Sequence, residues 1–192
     1  MPIKQIVLDL ETQRTFDEVG GRAHFDKLGI SVVGTYFYET GEFKIFEESQ
    51  IPQLEQALQR ASRVIGFNIR RFDFPVLQPY LKATEAAKLP LFDIMDELEK
   101  ILGHRVSLNS VAQATLGTGK SGDGLDAIHY FRNGEMEKLK SYCLDDVRLT
   151  QQIYEYGKKN GQVFYQSKDG KNRLSVRVNW KDPEPPKQAS LF

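Results

Sequence analysis

The first apolar run constrains this chain more than any other feature. Ile3 to Leu10 is rich in aliphatic and β-branched residues and reads as a buried strand. Yet Asp9 and Glu11 stand at its end. Residues two apart on a strand point to the same face. Two carboxylates on one face, beside a buried run, repel and lose hydration unless something compensates. Hard divalent cations compensate well, because oxygen ligands suit magnesium and manganese. A solvated strand end is the plainer alternative. The same two acids interrupt the apolar run, so it does not read as a signal peptide.

Further along, the pattern changes period several times. Thr12 to Lys27 is polar and carries Gly20-Gly21, the mark of a loop. Ile30–Tyr38 and Phe43–Phe46 flank Thr40-Gly41 and predict a hairpin. Pro52 suits the first turn of a helix running to about Ala61. Arg63–Phe67 predicts a second buried strand, Phe74–Leu81 a short helix and Leu89–Ile94 a last strand. Helices are expected at Met95–Leu102 and Leu108–Leu116, and a mobile glycine-rich segment at Gly117–Gly124. A long helix is expected from Glu135 to Tyr156, capped by Asn133 and ended by Gly157. Gln162–Gln166 and Arg173–Val178 form a second hairpin through Asp169-Gly170. The order predicts an α/β fold: a mixed sheet flanked by helices, with a C-terminal β-hairpin and an extended tail.

Bulk properties set the remaining bounds. The 192 residues suit one domain with a short appendage. Acidic and basic residues both number 26, so net charge argues neither for nor against a polyanionic substrate. The charge is unevenly spread, however. Residues 158–187 hold eight basic and three acidic side chains, which leaves the rest of the chain net acidic. One cysteine, Cys143, excludes an intramolecular disulfide and a cysteine-based zinc site. No stretch is long and apolar enough for a membrane span, so a soluble, cytoplasmic protein is expected.

Two further groups of residues join the first pair. The strand ending in Gly66-Phe67 runs into Asn68-Ile69-Arg70-Arg71-Phe72-Asp73. Sites in open α/β sheets gather where strands end, although an aspartate in this place is also a common helix cap. On the long helix, Tyr142 and Asp146 are four apart and share a face. Asp145 points elsewhere. A boundary tyrosine bonded to a carboxylate would look the same.

Together the three segments resemble the DEDD superfamily of 3′–5′ exonucleases. Asp9-Leu10-Glu11 matches its first motif, Asn68 to Phe72-Asp73 its second, and Tyr142 to Asp146 the third motif of its tyrosine subgroup. Position 141 is Ser141, where the histidine subgroup would need His. The proofreading domains of family B DNA polymerases are of this kind. The resemblance spans about Ile3 to Tyr156 and implies an RNase H-like fold. It implies two ions, Mg2+ or Mn2+, held by Asp9, Glu11, Asp73 and Asp146. Asp9 would bridge them, Glu11 and Asp146 would complete the water-activating site, and Asp73 would help hold the second ion. Tyr142 would orient the attacking water. Its ordinary pKa of about 10 makes it a poor base at neutral pH. Leu10, Thr12, Asn68 and Phe72 would meet the substrate, a single-stranded DNA or a 3′ end, with RNA possible. Arg70 and Arg71 could touch phosphates or simply be solvated. His24, His104 and His129 follow no ligand spacing, and Cys143 reads as a packed helix residue.

The tail is outside that resemblance. Gln188-Ala-Ser-Leu191-Phe192 resembles the peptide with which bacterial replication and repair proteins bind the β sliding clamp. Gln188, Leu191 and Phe192 would be its partner-binding residues, held off the body by a Pro-rich linker from Asp182. The expected organisation is therefore residues 1–157 as the exonuclease domain, 158–181 as a basic hairpin extension and 182–192 as linker and tail. Phe164, Tyr165 and Trp180 in the hairpin region either grip a strand by stacking or pack on the sheet. The competing functions are a non-catalytic nucleic-acid-binding or clamp-tethered module and a structure-specific endonuclease.

Overall fold

A computed structural model describes residues 4–119, 122 and 124–183. Seven strands and six helices make up the described chain. Five strands form one sheet: β1 (Gln5–Thr12), β2 (Ile30–Phe37), β3 (Glu42–Glu47), β4 (Arg63–Gly66) and β5 (Leu91–Asp93). Their order is β3-β2-β1-β4-β5. The first three strands run antiparallel, whereas β4 and β5 run parallel to β1. The sheet is mixed, as the early hairpin requires.

Alternation along β1 assigns its two faces. Ile6, Leu8 and Leu10 join the core beneath α1 (Ile51–Gln59) and α2 (Asp73–Leu77). Val7 points into the other core, with α3 (Ile94–Leu102), α4 (Leu108–Leu116) and α6 (Met136–Asn160). Asp9 and Glu11 share the face of Val7. The central strand is therefore covered on both sides, which explains its unbroken apolar sequence. Burial of each Leu or Ile in these two layers contributes about 1.5–3 kcal/mol.

A helix not anticipated from the sequence, α5 (Gly124–Arg132), follows the glycine-rich segment. Its two apolar turns are too short for a convincing period, and the run of glycines before it masks its start. The expectation of a mobile segment over 117–124 falls partly on residues 120, 121 and 123, outside the described residues.

α6 differs from expectation at both ends. Its N-cap is Glu135, with no side-chain cap bond, rather than Asn133. It also runs past Gly157 to Asn160, and Gly161 ends it at φ 66°. Gly157 has a different use. A Cβ there would lie 2.3 Å from the Trp180 ring, so the missing side chain lets the indole lie on the helix. Trp180 also stacks on Tyr154, with centroids 6.1 Å apart.

The C-terminal hairpin, β6 (Gln162–Gln166) and β7 (Arg173–Arg177), packs beside α4. Two helix hydroxyls take up the free edge of β6. Thr115 Oγ1 donates to Phe164 O and accepts Phe164 N–H, and Ser110 Oγ does the same at Gln166. Tyr165 and Trp180 are buried in the core, so both serve packing; Phe164 is half-buried under Arg173. Asp182 is no free linker residue. It accepts hydrogen bonds of 2.9 Å from Gln5 and from Lys158. Burial pushes its carboxyl up, but these bonds outweigh that and hold it below the usual range. The rest of the expected linker and the Gln188–Phe192 peptide lie outside the described residues.

Candidate active site

The loop after β4 builds one wall of a cleft at the end of β1. β4 stops pairing with β1 at Ile65 and the chain turns away. Asn68 makes the turn at φ 71°, a conformation asparagine tolerates better than most residues. Asp93, at the end of β5, holds this loop from below. Its carboxylate accepts the backbone N–H of Asn68 at 2.8 Å and of Arg70 at 2.9 Å, and also caps α3 at Met95. Burial pushes the Asp93 carboxyl up, while those N–H groups pull it back. The loop then delivers Asp73 to β1. Asp73 Oδ1 accepts the Leu10 N–H at 3.0 Å, the amide that β4 leaves behind. Asp73 thus clamps a strand end instead of capping α2, whose N-cap is Phe72.

The opposite wall comes from α6, and a glycine sets its distance. Gly34 on β2 pairs with Asp9. A Cβ on Gly34 would lie 2.8 Å from Cys143 Sγ and 2.9 Å from a Val147 methyl. The bare backbone lets α6 sit directly on the sheet. Cys143 Sγ reaches 3.6 Å from Asp9 O, and Tyr142 and Asp146 come down beside β1.

The result is a cleft of about 540 Å³. Asp9, Glu11, Asp73 and Asp146 line it, with Tyr142 among them. Glu11, Asp73 and Asp146 are 8 %, 3 % and 2 % exposed, so this is a largely dehydrated acidic cluster. Leu10, Thr12, Asn68 and Phe72 line the same cleft. Arg70 and Arg71 do not. Their guanidiniums turn to α3, where Arg70 meets Asp96 at 3.7 Å and Arg71 meets Glu99 at 2.8 Å. Arg70 also donates to Leu91 O. They knit the loop to α3 and stand outside the cleft lining.

Oxygens of Asp9 and Glu11 lie within 4.8 Å of one another and of Cys143 Sγ. Burial, then the charges of Asp9 and Glu11, push the Cys143 thiol well up. A protonated thiol is a poor ligand for a hard cation. The donor set that fits one is therefore the carboxylates. Four of them, three almost fully buried, are the arrangement that a divalent ion neutralises.

Sequence reasoning missed five contributors. Gly34 left no signal in a single sequence, because its role depends on a helix more than a hundred residues away. Asp93 was visible in principle, as an aspartate before an apolar-periodic helix. Phe16 and the α5 side chains Leu125 and Ile128 supply the apolar part of the cleft. Phe16 meets Phe72 edge-on at 5.9 Å.

A mixed five-stranded sheet with a carboxylate cluster at the end of its central strand defines an RNase H-like α/β protein. A family model described as the RNase_H superfamily matches residues 6–157, and the chain belongs to that family. No curated protein matches the chain. Among solved structures, Trypanosoma brucei RNase D is similar, with a TM-score of 0.58 and 18% identity over 79% of this chain and 56% of that one. E. coli Exonuclease I, solved with a 5cy-dA13 oligonucleotide, is matched at a TM-score of 0.48 and 13% identity, over 82% of this chain and 41% of that one. The chain thus spans little more than half the length of the RNase D chain.

Proposed function

We propose that this protein is a metal-dependent 3′–5′ exonuclease of the tyrosine DEDD type, releasing nucleoside 5′-monophosphates. The observation that carries this reading is the convergence of Asp9, Glu11, Asp73, Asp146 and Tyr142 in one cleft. They come from three separate segments, and together they supply hard oxygen donors beside a phenol. A fold of this kind also houses RNase D, whose name states nuclease activity.

In this reading Asp9, Glu11, Asp73 and Asp146 would hold two Mg2+ or Mn2+ ions. When bound, such ions lower the pKa of water and stabilise charge on the leaving oxygen. Asp9 and Glu11 offer their oxygens from one face of β1. Asp73, held at the Leu10 amide, and Asp146, buried on α6, close the site from both sides. Tyr142 positions the attacking water through its hydroxyl. Phe16, Phe72, Leu125 and Ile128 receive the terminal base and exclude solvent. DNA is the favoured substrate, because the Gln188–Phe192 sequence resembles the peptide that binds a bacterial sliding clamp. Tethering there would raise the local concentration at primer ends.

The test is hydrolysis of 5′-labelled single-stranded DNA and RNA of one sequence, with manganese, magnesium or EDTA. The expected result is a ladder shortening from the 3′ end, lost in EDTA and reduced about a hundred- to a thousandfold by Asp146→Asn, in the range of a lost catalytic electrostatic group. Manganese should also raise the melting temperature of the wild type and not of an Asp9→Asn, Asp146→Asn double variant. Activity that survives both EDTA and Asp146→Asn would overturn the reading. Removal of Gln188–Phe192 should abolish clamp association yet spare oligonucleotide hydrolysis; clamp binding that persists without them removes the argument for DNA.

A further inference from the structure

A second groove leads out of the carboxylate cleft. Asp9, Phe67 and Asn68 line both the cleft and a neighbouring depression of about 450 Å³. That depression shares Arg105, Val106 and Ser107 with a third, of about 490 Å³, which ends between the β6–β7 turn and the α3–α4 connection. The three are thus continuous, from Asp9 to Lys168 and Leu174.

The chemistry of this path is opposite to that of the cleft. Arg105 lies at its middle and meets no carboxylate among the described residues. Its guanidinium is aimed instead by Asn68 Oδ1 at 2.7 Å and by Met95 Sδ. Asn68 is the residue that makes the left-handed turn beside Asp73, so the arginine is keyed to the acidic site. Ser107 begins α4 and presents the positive end of that helix to the same path. At the far end Lys168 forms no ion pair among the described residues, and Leu174, 39 % exposed, offers an apolar face. A cationic track with an apolar step, opening from an acidic pocket, fits a chain of phosphates with bases attached. The hairpin that forms its far wall follows residue 157 and lies outside the residues matched by the RNase_H superfamily model.

We propose that a single strand of nucleic acid, with its 3′ end in the carboxylate cleft, runs back over Arg105 into the groove beside the β6–β7 hairpin. Arg105 and Lys168 take its phosphates, and Leu174 takes a base. The proposal rests on the nuclease reading for the direction of the strand. The groove itself is a binding claim and stands apart from turnover.

Two measurements separate the two. The first is fluorescence anisotropy in EDTA with oligothymidylate or oligouridylate of about twelve nucleotides, within the usual site size for such grooves. Arg105→Ala and Lys168→Ala should each weaken binding about five- to tenfold. Each should also make the dependence of log K on log salt shallower by about 0.7, as loss of one phosphate contact does on a single strand. Arg105→Lys should recover part of the affinity. Lys88→Ala, at the opposite end of the sheet, should change nothing. The second measurement is the kcat/KM ratio for the long strand over a dinucleotide with manganese. That ratio should fall about five- to tenfold in both variants. Unchanged affinity and ratio, or equal losses on long strand and dinucleotide, would overturn the groove. Wild-type protein that binds the strand through Arg105 and Lys168 yet cleaves nothing would keep the groove and overturn the nuclease.

Discussion

Gly34 shows how much of a site can depend on one absent side chain. It carries no chemistry, yet it determines how near α6 comes to β1. Gly34→Ala places a Cβ 2.8 Å from Cys143 Sγ and 3.4 Å from the Cys143 carbonyl oxygen. The Cys143 and Val147 side chains have to give way, with the helix that carries them, and overpacking of this kind costs about 1–3 kcal/mol. Function should suffer more than stability, because Tyr142 and Asp146 move away from Asp9 together. The expected outcome is a modest fall in melting temperature with at least about a hundredfold loss in kcat, since misplacement by an ångström has that effect. Pairing Gly34→Ala with Cys143→Ala should restore part of the rate by clearing the nearer obstacle. A variant that keeps full activity would show that α6 does not set the geometry. That Asp9, Glu11, Asp73, Tyr142 and Asp146 belong together was legible in the sequence, because they stand in spaced motifs. What holds them there was not. Asp93 and Gly34 act through packing partners that no local pattern announces.

At the scale of elements, legibility followed length and period. The central strands, α4 and most of α6 stand in the sequence as apolar runs or helical stripes. α5 does not, because nine residues after a glycine-rich segment give too short a period. The end of α6 was misplaced for a related reason. A glycine in a helical pattern reads as a stop, and only Trp180, folded back from beyond the hairpin, explains why Gly157 is tolerated. The hairpin supplies a prediction at this scale. Thr115→Val keeps shape but removes the hydroxyl that serves both Phe164 N–H and Phe164 O. Leaving such groups unsatisfied costs about 1–3 kcal/mol. Hydrogen exchange should accelerate over Gln162–Gln166 and stay unchanged over β1 and β2. Uniform acceleration across both sheets would mean the hairpin does not open separately.

For the molecule as a whole, neutral net charge conceals a division of labour. An acidic pocket and a cationic track open into one another, and total charge cannot reveal either. Ionic strength should therefore affect strand capture far more than the chemistry in the cleft. No helix among the described residues is long and apolar enough to cross a membrane.

The contact of Cys143 with Asp9 joins residues 134 positions apart. β1 is thus synthesised well before α6, which carries the opposite wall of the cleft. Closing so long a loop is slow compared with forming the β1–β2 hairpin. The sheet can take shape, with Asp9 and Glu11 side by side on β1, while Asp146 on α6 has yet to join them. A chain without a docked α6 carries Asp9, Glu11 and Asp73 with the opposite wall of the cleft still missing. The topology leaves the four-carboxylate cluster incomplete until that long helix has docked.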